Sequence, residues 1–152
     1  MAYIEKTIVA GEHIFKEKGF SARYGKKNIP RGPNWNECTE VQRRRNELLK
    51  KKRIVWAICA NFKKTDWWIT LTYRRCERPD SMSVAKKHRS RFIRRLRDKL
   101  KKKDIPLTYT AMTERGVKGG LHHHFIIKNV FDIGIIISLW EHGKVHIENN
   151  AK

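Results

Sequence analysis

The chain has 152 residues, enough for one domain with its own core and short for two. Hydrophobic residues make up 39 % of it, with five tryptophans and six phenylalanines, which excludes a wholly disordered polyelectrolyte despite a formal net charge of +20. So large a charge repels itself in a compact chain and implies a polyanionic partner, nucleic acid before a membrane surface; no uncharged apolar run is long enough for a bilayer span, and MAYIEKTIVAGEHIF lacks the order of a signal peptide.

Residues 1–37 have weak periodicity. Between Gly19 and Trp35 the chain mixes Gly25, Pro30, Gly32 and Pro33 with lysines and arginines, so 1–37 reads as a basic, loop-rich arm ahead of a domain at 38–152. Cys38, Cys59 and Cys76 form an odd set without CxxC spacing, as expected of reduced cysteines in an intracellular protein. Thr39 and Gln42 have the spacing of a capping box and open a first helix. Val41, Leu48, Val55, Cys59 and Phe62 form its predicted apolar stripe, widened by Ile54, Trp56 and Ile58.

From Asp66 to Tyr73 the period changes to two. Trp67, Ile69, Leu71 and Tyr73 face one way, and Trp68, Thr70 and Thr72 the other; bulky groups on both faces predict an inner strand. A turn at Arg78–Ser81 leads to a second helix from Val84 to Lys103, capped by Ser81 or Ser83. Its predicted stripe is Val84, His88, Phe92, Leu96 and Leu100, helped by Ile93, and its remaining positions are almost entirely Lys and Arg. Two further strands, Leu107–Glu114 and Leu121–Lys128, flank a glycine-rich link and form a hairpin. Asp132 caps a short apolar helix expected to end near His142 with Gly143 at its stop, and Lys144–Glu148 alternates as a last strand. The pattern is α+β, an antiparallel sheet with helices mainly on one face.

In the stretch GLHHHFII, strand alternation puts His122 and His124 on one face and His123 on the other. The hairpin folds Glu114 back toward His122, so two imidazoles and a carboxylate can converge on one divalent ion. Spacing leaves two readings open: metal ligands, or packed or edge histidines without metal. The phosphate-contact candidates are Arg43, Arg44 and Arg45 on the first helix, Lys86, Lys87, Arg91, Arg94, Arg95 and Lys99 on the second, and the Arg23–Arg31 stretch of the arm. Lys50–Arg53 adds to the first group. Trp35, Trp67 or Trp68 could stack on bases, with at least one of the adjacent pair expected in the core.

DWWITLTYR at 66–74 resembles the first motif of rolling-circle replication initiators, and ERGVKGGLHHHFII at 114–127 the second motif of the histidine-hydrophobic-histidine (HUH) endonucleases. The likeness is greatest to phage-type replication proteins, with Glu, a glycine-rich turn and His-x-His in that order. It extends over about residues 50–148 and includes the basic second helix and LWEHGKV at 139–145. His123 departs mildly, standing where an apolar or aromatic residue is more usual.

The resemblance implies an HUH-like fold in which Glu114, His122 and His124 hold Mg²⁺ or Mn²⁺ at a scissile phosphate of single-stranded origin DNA, in the cytoplasm of a bacterium or encoded by its phage or plasmid. A tyrosine attacks in such enzymes, from a helix after the segment resembling Leu139–Ile147. This chain has Tyr3, Tyr24, Tyr73 and Tyr109 and none beyond the histidines. The expectation is therefore a replication-associated domain truncated before its tyrosine motif, with no catalytic residue of its own to assign. The alternative is a metal-independent, basic nucleic-acid-binding protein with a structural or regulatory role.

Overall fold

The computed structural model describes residues 3–20, 37–117 and 119–148. The Arg23–Arg31 stretch, Tyr24, Trp35 and Lys118 lie outside them. The chain forms two compact units, 1–61 and 62–152. The sequence pattern places a boundary near residue 37, but the first helix packs with the N-terminal strands and so belongs to the first unit.

In the first unit, β1 (Tyr3–Ala10) and β2 (His13–Phe20) are an antiparallel hairpin where the sequence reads as loop. Most of its residues are exposed, so it has almost no apolar face to reveal a period of two. Gly11 turns the tip at φ +60°, with the Cys59 carbonyl oxygen only 2.3 Å from where a Cβ would stand. The following helix, α1 (Glu40–Asn61), starts with the expected capping box. The Thr39 N–H donates to Gln42 Oε1 at 2.9 Å, and the Gln42 N–H to Thr39 Oγ1 at 3.3 Å. Its predicted stripe is not buried: Val41, Leu48 and Val55 are exposed, and Phe62 lies past the helix end. A two-stranded ribbon is too narrow to cover a helix of 22 residues, and Trp56 meets Phe15 near the helix's C-terminal end.

The second unit is a four-stranded antiparallel sheet in the order β4-β5-β3-β6, formed by β3 (Trp67–Leu71), β4 (Tyr109–Arg115), β5 (Leu121–Ile127) and β6 (Val145–Glu148). As expected, β3 is an inner strand. The helices α2 (Met82–Lys101) and α3 (Gly134–Leu139) both pack on the face that carries Ile69, Leu71, Phe125 and Ile127. Ser81 caps α2, its hydroxyl accepting from the Val84 N–H at 3.2 Å. Phe92, Ile93, Leu96 and Leu100 are buried on the sheet with Ile135, Ile136 and Trp140. Buried Asp66 fixes the edge of this core by accepting from the Lys63 and Asn129 backbone N–H groups at 2.7 and 2.9 Å. Among the described residues no helix is long and apolar enough to cross a membrane.

The helix expected to reach His142 ends at Leu139. Trp140 turns to extended backbone, buries its ring, and donates its Nε1–H to the Thr72 carbonyl at 2.9 Å. The chain is then held along the end of β3, with Thr72 N–H bonded to Lys144 O and Arg74 N–H to His142 O. Gly143 permits this approach, because a Cβ there would stand 2.0 Å from the Thr72 carbonyl oxygen.

The helix-covered face also buries one imidazole. His123 has no exposed surface; its Nε2 meets the Tyr73 hydroxyl at 2.7 Å and its Nδ1 meets Thr113 Oγ1 at 2.9 Å, while Arg89 donates to the same Thr113 oxygen. Either neutral tautomer satisfies both contacts, because each hydroxyl can donate or accept. Burial pushes the His123 pKa down to about 4 and that of Tyr73 up to about 12.

Two outcomes follow from this packing. Gly143→Ala forces the 140–144 segment off β3 and is expected to cost about 1–3 kcal/mol or more, read as a lowered thermal midpoint. In the fold Tyr73 keeps its proton up to about pH 12, whereas an unfolded phenol loses it near about pH 10. Its contribution is therefore complete below about pH 10 and lost as pH rises through about 12. Denaturant titrations should show that alkaline loss in the wild type and a shallower one in Tyr73→Phe.

Candidate metal centre

Register decides what the second face of the sheet can do. β4 and β5 pair with Glu114 opposite His122, Thr113 opposite His123 and Met112 opposite His124. β3 adds Thr70 opposite His124, and β6 adds His146 opposite Thr70. Glu114, His122, His124 and Thr70 therefore share the face not covered by α2 and α3.

The three predicted donors meet. Glu114 Oε1 lies 2.9 Å from His122 Nε2 and 2.9 Å from His124 Nε2, and one donor atom from each residue falls within 4.8 Å of the others. The two rings are nearly perpendicular, with centroids 4.8 Å apart, so they converge on the carboxylate without stacking. All three side chains remain partly open to solvent. Hydrogen bonds from His124 and then His122 hold the Glu114 carboxyl below the usual carboxylate range.

Two contacts behind the donors orient them. His122 Nδ1 lies 3.3 Å from the Gly120 carbonyl, and His124 Nδ1 lies 3.0 Å from Thr70 Oγ1. A carbonyl only accepts, so the first contact places a proton on His122 Nδ1. Neutral His122 then aims a bare Nε2 lone pair at the carboxylate oxygen. Either a second proton or a shared cation relieves that opposition, and the set of two imidazole nitrogens and one carboxylate oxygen suits a divalent ion. The outer contacts follow the common pattern in which a ligating histidine uses its other nitrogen to fix its tautomer.

The glycine-rich link serves the same geometry. Gly116 N–H donates to the Gly120 carbonyl at 2.8 Å, fixing the oxygen that His122 uses, and Gly119 adopts φ +80°. A Cβ on Gly116 would stand 3.1 Å from the His122 Cε1 carbon, so a larger residue would press on the ring.

The remaining candidates divide. Lys86, Lys87, Arg91, Arg94 and Lys99 are exposed on α2, while Arg95 is tied to Glu141 at 2.6 Å. Arg43, Arg44 and Arg45 are exposed on α1, in the other unit. Trp67 packs edge-on against Phe131 with centroids 4.9 Å apart, whereas Trp68 lies on the donor face with exposed Met112. Tyr73 and Tyr109 both belong to the helix-covered side, opposite the donors. Sequence reading did not connect Thr70 or the Gly120 carbonyl to the site. Alternation had placed Thr70 off the core face, but the pairing of β3 with β5 was needed to bring it to His124.

The family model for the ORF2-type replication-associated proteins matches residues 66–152, more than half of the chain and all of the sheet just described. No curated protein and no solved structure matches the chain. The matched segment runs from Asp66 through the Glu114–His122–His124 cluster to β6, and on that match the chain belongs to the ORF2-type replication-associated protein family.

Proposed function

We propose that the second unit is an HUH-like domain that binds single-stranded origin DNA and holds a Mg²⁺ or Mn²⁺ ion for rolling-circle nicking. The observation that carries this reading is the meeting of two histidine Nε2 atoms and one carboxylate on an uncovered sheet face in a chain of a replication family. Glu114, His122 and His124 would hold the ion, which when bound supplies Lewis-acid polarisation of a scissile phosphate. Thr70 and the Gly120 carbonyl keep the two imidazoles aimed. Trp68, two residues along β3 from Thr70, offers an aromatic face on which an unpaired base can stack.

Neither Tyr73 nor Tyr109 is the attacking group in this reading. Both project into the helix-covered layer, and Tyr73 is hydrogen-bonded to His123 with its ionisation opposed by burial. The chain thus supplies the metal ligands and DNA contacts of the family's reaction, and no nucleophile is assigned within it.

Mn²⁺ titration by calorimetry should give one site in the wild type and none in His122→Ala/His124→Ala. A double variant that binds Mn²⁺ like the wild type sinks the proposed ligand set. Thr70→Val should weaken Mn²⁺ binding roughly 10–100-fold, as outer-shell losses do, while Thr70→Ser retains it. Labelled hairpin DNA incubated with the chain and Mn²⁺ should yield little covalent adduct; efficient adduct formation would show that a tyrosine of this chain reaches the phosphate.

A further inference from the structure

The cations of α2 and the metal-ligand cluster lie on opposite sides of the second unit. Phe92, Ile93, Leu96 and Leu100 fix the inner side of α2 on the sheet, and the donors project from the sheet's other face. One helix layer, about 10–12 Å across, and the sheet itself separate the two surfaces, so they are on the order of 15–20 Å apart. A phosphate held at Glu114, His122 and His124 cannot also meet Lys87 or Arg94.

The outer side of α2 has the chemistry of a phosphate track. A shallow groove runs along it, lined by Ser83, Lys86, Lys87, Ser90, Arg91 and Arg94, all exposed. Asp98 is the single carboxylate in the helix, beyond the end of that groove. From Lys87 to Arg94 the helix rises about 10 Å, roughly the axial span of three phosphates along one strand of a duplex. The two serine hydroxyls add neutral donors between the charges.

The groove has no aromatic side chain on which to stack a base, in contrast to the donor face with Trp68. Its contacts are therefore to backbone, and a rigid row of cations fits best where phosphates lie on the outside at high density, as on double-stranded DNA. We infer that the outer face of α2 is a second, sequence-independent site for duplex DNA. This goes beyond the nicking proposal and shares no residue with it. Its consequence is that one molecule holds a duplex segment on its helix face while the sheet face remains free for a single strand.

The test compares full-length wild type with Lys87→Gln/Arg91→Gln/Arg94→Gln on a blunt duplex of arbitrary sequence across a salt series. The variant should bind at least tenfold more weakly. The slope of log affinity against log salt should flatten by about 2.7, from roughly 0.9 for each of three lost phosphate contacts. Lys101→Gln/Lys102→Gln/Lys103→Gln removes equal charge outside the groove and should change both much less. Saturating single-stranded oligonucleotide should leave bound duplex in place. Equal losses in the two variants, an unchanged slope in the first, or displacement of duplex by single strand overturns the inference. Mn²⁺ titration of the groove variant reads the cluster independently: retained Mn²⁺ binding with lost duplex binding supports two sites, and a wild type that binds duplex through α2 but no Mn²⁺ ends the nicking proposal alone.

Discussion

Glu114 stands opposite His122 in an antiparallel pair, and the candidate metal centre rests on that one register. Side chains alternate across a strand with a period of two, so a slip of one residue would send His122 and His124 into the helix-covered layer and His123 out to solvent. The buried side of β5 resists that slip. Phe125 and Ile127 fill the core, and His123 is satisfied by Tyr73 and Thr113. A slip would uncover two large apolar side chains and exchange a fully hydrogen-bonded buried imidazole for two unpaired ones.

The two faces of β5 therefore serve each other. On one side a neutral, buried histidine locks the strand's position; on the other, two histidines present their Nε2 atoms to a carboxylate. Sequence economy brings these roles together in three consecutive residues. A polar residue at the inward position is tolerated because β3 supplies Tyr73 and β4 supplies Thr113 at hydrogen-bond distance. The same strand β3 contributes Thr70 to the outer face, so one inner strand supports both layers.

Charge has been distributed away from this chemistry. The α2 cations lie on the far surface of the helix layer, and the donor face is partly apolar, with Trp68 and Met112 beside the cluster. This separation gives the +20 net charge a specific physical meaning. Cations close to the cluster would oppose a divalent ion electrostatically, whereas cations behind the sheet are partly screened from it and remain free to hold phosphates elsewhere.

Much of the second unit was legible from residues alone, because period two in Trp67–Leu71 and Leu121–Ile127 and the apolar stripe of α2 reflect real burial. The Glu114–His122–His124 set was legible for the same reason, since a hairpin with a short glycine-rich link leaves few registers. The N-terminal hairpin and the exposed stripe of α1 were not, because periodicity reports burial only where there is enough surface to bury against. The early end of α3 was hidden too, since the bond from Trp140 to Thr72 joins residues 68 positions apart. The sequence by itself determined which residue types alternate, where helices are capped, and which side chains are able to ligate. Only the tertiary structure decided which strand lies beside which, and hence that Thr70 backs His124, that Tyr73 faces away from the cluster, and that the basic face of α2 is turned from it, because these depend on pairings between residues far apart in the chain.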